Sequence, residues 1–294
     1  MPGTEIQWFP GHMAKTRREL RESLALVDIV IELLDARIPY SSRNPEIKKL
    51  TAGKPLLTVF TKTSLADPDT TARWRTYFAR EGGHYLFLDA ITGAGYADLM
   101  PKIREILSEK LERYEAKGMT GRRIKAMVVG VPNVGKSSLI NRLMKRTTAK
   151  AENRPGVTRN KQWFQTTIGL DLLDTPGILW PKFEERRVGE HLAITGAVRD
   201  EILDTEAIAM RLCEILRARY PDLFAARYKL DVNTLADYTP WELFCAVGRR
   251  RGFLVSGGEV NTERTAAVLL EEFRSAKIGR LSLEEPHEKE HATC

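Results

Sequence analysis

The sequence predicts an α/β fold, a mostly parallel sheet with helices on both faces, followed by an all-α C-terminal domain. Two observations carry this. Short apolar runs rich in β-branched residues alternate with amphipathic helical patterns as far as about residue 190, as expected for buried parallel strands joined by crossover helices. Beyond that point only helical patterns remain. The expected division is therefore residues 1–190 and 191–294, with an unstructured tail from about residue 284.

The elements follow in chain order. Residues 8–26 read as a helix in which Lys15, Arg17, Arg18 and Arg21 stand against Glu19 and Glu22. Residues 27–35, 55–60 and 85–88 are three compact apolar runs, each a strand. A helix over 69–80 lies between the second and third and closes at Gly82-Gly83. Residues 99–117 read as one amphipathic helix ended by Gly118. Residues 125–130 give a fourth strand with a helix over 136–145 behind it, and 168–173 a further strand. Helices over 204–218, 240–250 and 262–275 make up the C-terminal part.

Composition narrows the class. Hydrophobic residues are 43% and charged residues 29%, the balance of a folded globular chain. No run approaches the roughly 20 apolar residues of a membrane span, so no membrane partner is expected. The first residues lack a basic lead-in and an apolar core, so they do not read as a secretory signal. The three cysteines, Cys213, Cys245 and Cys294, are far apart and lack metal-ligand spacing. A cytoplasmic monomer is the expectation. Lys and Arg number 46 against 39 Asp and Glu, a net charge of +7, which is compatible with an anionic partner without demanding one.

The chemistry begins at Gly130-Val131-Pro132-Asn133-Val134-Gly135-Lys136-Ser137, which fits G-x-x-x-x-G-K-[ST] between a strand and a helix. The glycines let successive N–H groups converge on phosphate oxygens at a positive helix end. Asn133, Val134, Gly135, Lys136, Ser137 and Ser138 are expected to cradle the phosphates, with Lys136 on the outer phosphates and the Ser137 hydroxyl on Mg²⁺. Downstream, Asp174-Thr175-Pro176-Gly177 ends a strand. There Asp174 would hold Mg²⁺ through water, and Gly177 would offer its N–H to a γ-phosphate. Thr158, in the intervening loop, is a candidate hydroxyl ligand to Mg²⁺.

A guanine-reading loop of the form [NT]-K-x-D is absent after Gly177. The candidate lies upstream, at Thr61-Lys62-Thr63-Ser64, and Asp89-Ala90 follows the next strand where a second base loop belongs. The order of motifs is that of a P-loop GTPase fold circularly permuted, with all the loops still able to ring one nucleotide at the strands' C-terminal ends.

Residues 8–15 (Trp-Phe-Pro-Gly-His-Met-Ala-Lys), Asp35-Ala36-Arg37-Ile38-Pro39, the phosphate loop and Asp174-Thr175-Pro176-Gly177 together resemble the YlqF/RbgA type of circularly permuted GTPase, over nearly the whole chain. The resemblance implies binding and hydrolysis of GTP, with GDP as product and Mg²⁺ as cofactor. It also implies a role in late assembly of the bacterial large ribosomal subunit, with docking on the pre-ribosome in the GTP state and release on hydrolysis. One departure stands out: Ser64 occupies the place of the aspartate that accepts guanine's N1–H and exocyclic amine. Losing such charge-assisted bonds costs roughly 1.5–3 kcal/mol. An ATPase or relaxed-specificity NTPase therefore remains an alternative.

Ile178 follows the Asp174–Gly177 motif where many GTPases carry a water-orienting glutamine, which leaves open a nucleotide-switched RNA-binding module with negligible turnover. The resemblance places residues 8–15 near the nucleotide and makes His12 the candidate catalytic group. Asn133 suggests K⁺ bridging the phosphates. Basic clusters at residues 142–161, at Arg249, Arg250 and Arg251, and at Arg274, Lys277 and Arg280 are expected to contact rRNA phosphates.

Overall fold

The computed structural model describes residues 13–144, 162–175, 183 and 185–286. In chain order the first part comprises α1 (Met13–Leu24), β1 (Ile29–Asp35), α2 (Pro45–Leu50), β2 (Leu56–Thr61), α3 (Pro68–Glu81), β3 (Tyr85–Phe87), α4 (Leu99–Ile106), α5 (Ser108–Ala116), β4 (Ile124–Gly130), α6 (Lys136–Met144), β5 (Gln162–Gln165) and β6 (Leu170–Asp174). The helical part comprises α7 (Arg186–Ile194), α8 (Thr205–Arg219), α9 (Pro221–Tyr228), α10 (Pro240–Arg250) and α11 (Thr262–Arg274).

The sheet runs β3-β2-β1-β4-β6-β5. Every pairing is parallel except β5 with β6. Because side chains alternate between faces, Ile29, Ile31 and Leu33 of β1 join Leu57, Val59, Ala126, Val128, Leu170 and Leu172 on one face, where α4 and α6 add Leu99, Ile103, Leu139 and Ile140. Val30, Met127, Val129 and Leu173 meet Leu20, Leu24 and Ile47 on the other face. Leu34 and Phe60 pack there against Trp74 and Phe78 of α3. Registry aligns Asp35 with Thr61 and Leu33 with Gly130, and pairs Val128 with Asp174. The ends of four strands thus deliver the base loop, the phosphate loop and Asp174 to one edge.

Several elements differ from expectation. The helix over 99–117 is two helices broken at Leu107, a residue at φ −101°, ψ 10°. The reason is burial: Leu99, Ile103 and Leu107 follow the core, whereas α5 buries no residue and turns outward. The strand β5 was not anticipated, because only Phe164 of its four residues is buried. Helix α7 runs across the expected boundary at residue 190 and packs on α8 and α11. Glu284 and Glu285 are also fixed, against the expectation of a tail from about residue 284. The Glu284 carboxylate accepts from Tyr40 N (2.7 Å), from the N–H and hydroxyl of Ser41, and lies 2.8 Å from His191 Nδ1, while Arg73 and Arg219 bind Glu285. Residues 287–294 lie outside the described residues.

The helical part centres on α8, packed by α7, α9, α10 and α11. Helix starts carry the caps their sequences announce: Asp204 accepts from Ala207 N, Asn261 from Arg264 N, and Thr239 with Glu242 forms a capping box. At its core, buried Glu272 accepts from Tyr228 Oη (2.9 Å) and from Arg227 Nε (3.0 Å) and Nη2 (2.7 Å), and also receives Arg251. Replacing Glu272 with Gln removes the charge that neutralises two guanidinium groups and is expected to destabilise the protein by about 3 kcal/mol. A urea unfolding midpoint within error of wild type would contradict this.

Candidate nucleotide-binding site

The phosphate loop leaves β4 at Gly130, whose φ of +156° and close approach to Leu33 O (2.8 Å from a hypothetical Cβ) exclude a side chain. The loop turns through Asn133 at φ +55° and enters α6 after Gly135 at φ +108°. The Lys136 ammonium is folded under the loop, donating to Gly130 O (3.1 Å) and Val131 O (2.9 Å). Burial pushes its pKa down to about 8, with Asp174 acting in the opposite sense. Asp174 is buried at the end of β6, and the next residue, Thr175, donates from its hydroxyl to Val128 O at 2.7 Å, fixing this turn on β4. Ser137 and Ser138 are half-buried in the first turn of α6, and Val134 is buried.

The base loop is tied on three sides. The Thr61 hydroxyl sits 3.1 Å from Leu34 O and 2.5 Å from Val134 O, linking the base and phosphate loops. Lys62, at φ +58°, donates to Asp35 Oδ2 at 2.9 Å. The same carboxylate receives Arg37 in two bonds, Nε to Oδ1 at 2.9 Å and Nη2 to Oδ2 at 2.7 Å. Burial would raise the Asp35 pKa, but Arg37 and Lys62 outweigh it and hold the carboxyl far below its usual range. Ser64 N donates to Asp89 Oδ2 at 2.8 Å, and Asp89 Oδ1 takes the N–H groups of Ile91 (2.9 Å) and Thr92 (2.8 Å). Asp89 is thus a brace between the two loops. Thr63 leans on Leu88 O. Asp67, the nearest other carboxylate, accepts from Thr70 N at 2.6 Å as the cap of α3.

These loops form one wall of a cavity of about 1160 Å³ lined by Thr61, Lys62, Asp89, Ala90, Asn133, Gly135 and Ser138. The opposite wall comes from the helical part: Gly196, Arg199, Glu201, Glu271, Arg274 and Ser275. Asn133 Nδ2 donates to Gly196 O at 2.7 Å, closing one end. No local signal in the sequence announces this second wall. His12, Thr158 and Gly177 lie outside the described residues.

The basic residues expected on RNA divide in two. Arg249, Arg250 and Lys277 are exposed. Arg251 is committed to Glu272. Arg274, half-buried, donates to Ala193 O, Ile194 O and both oxygens of Asp200. Arg280 is exposed and donates to Ala66 O (3.0 Å) and Thr63 O (2.9 Å) behind the base loop. Of the cluster at 142–161, Arg142 binds Ala90 O and Ile91 O, and 145–161 lie outside the described residues.

The lowered pKa of Lys136 has a measurable consequence. A bound phosphate raises it, so nucleotide binding takes up a proton once the pH passes about 8. Affinity for GDP is expected to fall as pH rises from 8 to 9, and calorimetry in buffers of different ionisation enthalpy reads the proton. A pH-independent affinity over that range contradicts the assignment.

Residues 125–215 match the family described as 50S ribosome-binding GTPase. Over 286 residues the chain is 47% identical to ribosome biogenesis GTPase A of Priestia megaterium, covering 97% of this chain and 98% of that one. Over 281 residues it is 45% identical to the same protein of Bacillus pumilus, covering 96% and 99%. Among solved structures, GNP-bound YlqF from T. maritima superposes with a TM-score of 0.66 at 27% identity over 93% of this chain and 99% of that one. The GDP-bound form gives 0.66 at 26% identity over 92% and 100%. The chain belongs to the ribosome biogenesis GTPase A family.

Proposed function

We propose that this protein binds GTP in the cavity between the two parts, docks on the large-subunit precursor and its rRNA in that state, and leaves when GTP is hydrolysed. The observation that carries the reading is that both the phosphate loop and the helical part wall the same cavity, joined through Asn133 and Gly196. A ligand there is in a position to bias the angle between the parts. Lys136 leaves its carbonyls for the β- and γ-phosphates, and the loop N–H groups receive the remaining oxygens. The donor set at Ser137 and Asp174 is of hard oxygens, which suits Mg²⁺, with Thr158 as a further candidate. Held by these oxygens, Mg²⁺ would supply positive charge against that developing on the phosphates. An apolar Ile178 cannot orient water, so His12 remains the proposed catalytic group, and K⁺ near Asn133 the proposed monovalent aid. Exposed Arg249, Arg250 and Lys277 are the proposed rRNA contacts.

A relaxed-specificity NTPase is the second reading, favoured by one observation: neither Asp67 nor Asp89 is available to replace the carboxylate missing at Ser64. Phosphate release from GTP and ATP, with and without large ribosomal subunits, distinguishes the two. The expected result is GTP turnover stimulated at least tenfold by the subunits in KCl, lower in NaCl and lost in His12→Ala, with ATP inert. Equal release from ATP would replace the first reading with the second.

A further inference from the structure

The base loop offers guanine no free carboxylate, yet the cavity that the base loop lines is not short of acids. Four acidic residues line it: Asp89, Asp200, Glu201 and Glu271. Asp89 is spent on three backbone N–H groups, and Asp200 gives both oxygens to Arg274. Two remain, Glu201 and Glu271, both exposed and bonded through their carboxylates to no described residue.

Position separates these two. Glu271 lies one helical turn before Arg274 and Ser275, on the stripe of α11 that fronts the cavity. This end of α11 is bound to the base loop by a chain of contacts: the carbonyl of Arg274 accepts Arg37 Nη1, Arg37 grips Asp35, and Asp35 grips Lys62. Arg37 also lies 5.3 Å over the Phe273 ring. Glu201 sits instead in the short turn Asp200–Ile202, off α11, a turn held to that helix through the side chains of Asp200 and Arg274. We infer that Glu271, reaching from the helical part across the cavity, is a specificity-determining residue that accepts the exocyclic amine of guanine in place of the carboxylate missing at Ser64. This rests on the reading that a guanine nucleotide occupies this cavity. A base read from both walls couples nucleotide identity to the contact between them, since among guanine, hypoxanthine and adenine only guanine carries an amine on C2.

The test is displacement of fluorescent mant-GDP, in Mg²⁺, by GDP, IDP and ADP. IDP keeps the N1–H of guanine and lacks only the exocyclic amine. Wild type is expected to prefer GDP over IDP by about tenfold. Glu271→Gln is expected to bring the two within twofold by weakening GDP alone, Glu201→Gln to leave the preference intact, and Ser64→Asp in the Glu271→Gln background to restore it. An unchanged preference in Glu271→Gln, its loss in Glu201→Gln, or no preference in wild type that still rejects ADP overturns the inference. ADP competing as well as GDP in wild type would instead overturn the guanine reading beneath it.

Discussion

The buried carboxylate of Asp35 is where the base loop, the first strand and the helical part meet. It holds the guanidinium of Arg37 in two bonds and the ammonium of Lys62 in a third. Removing such ions from water costs several kcal/mol each, recovered only when geometry satisfies every polar atom. Here it does, because Asp35 ends β1 in register with Thr61, the residue that begins the base loop. The arrangement fixes Lys62 in a left-handed backbone conformation and leaves Arg37 facing the last turn of α11. The nucleotide loops are therefore shaped by a charge cluster that also anchors the other part.

The segment after α11 extends this anchoring along the back of the base loop. Leu281 N donates to Leu65 O, Leu283 N to Arg37 O, and Asp67 N to the Ser282 hydroxyl. Arg280 holds the carbonyls of Thr63 and Ala66. Most of these bonds involve main-chain groups, so their geometry leaves the base loop little freedom to move independently of the helical part. On the far side, Asn133 ties the phosphate loop to Gly196. The two loops are thus each bonded to the helical part, on opposite sides of the cavity. Arg249 and Arg250, at the C-terminal end of α10, are exposed.

The sequence made legible what is contiguous. A phosphate loop needs its glycines, lysine and serine within one strand–loop–helix unit, and Gly130 to Ser137 is such a unit. The central strands were legible because burial on both faces leaves only apolar residues, as in Ile29–Leu34 apart from Glu32. The strand β5 was not, since an edge strand with one buried residue has no period to detect. Nor were the roles of Arg274 and Arg280, because a basic residue looks alike in sequence whether it meets a phosphate or a carbonyl of its own chain. The second wall of the cavity was beyond reach for the same reason: Gly196 and Glu271 are brought to the cavity by tertiary packing alone.

The central claim, that ordering of the base loop is transmitted to the segment of the helical part bonded behind it, is tested most directly by hydrogen exchange of the wild-type protein with and without GDP. The account predicts that GDP slows exchange at residues 61–67 and, in parallel, at Leu281 and Leu283 behind them. Protection confined to 61–67, with Leu281 and Leu283 exchanging as in the free protein, would contradict it.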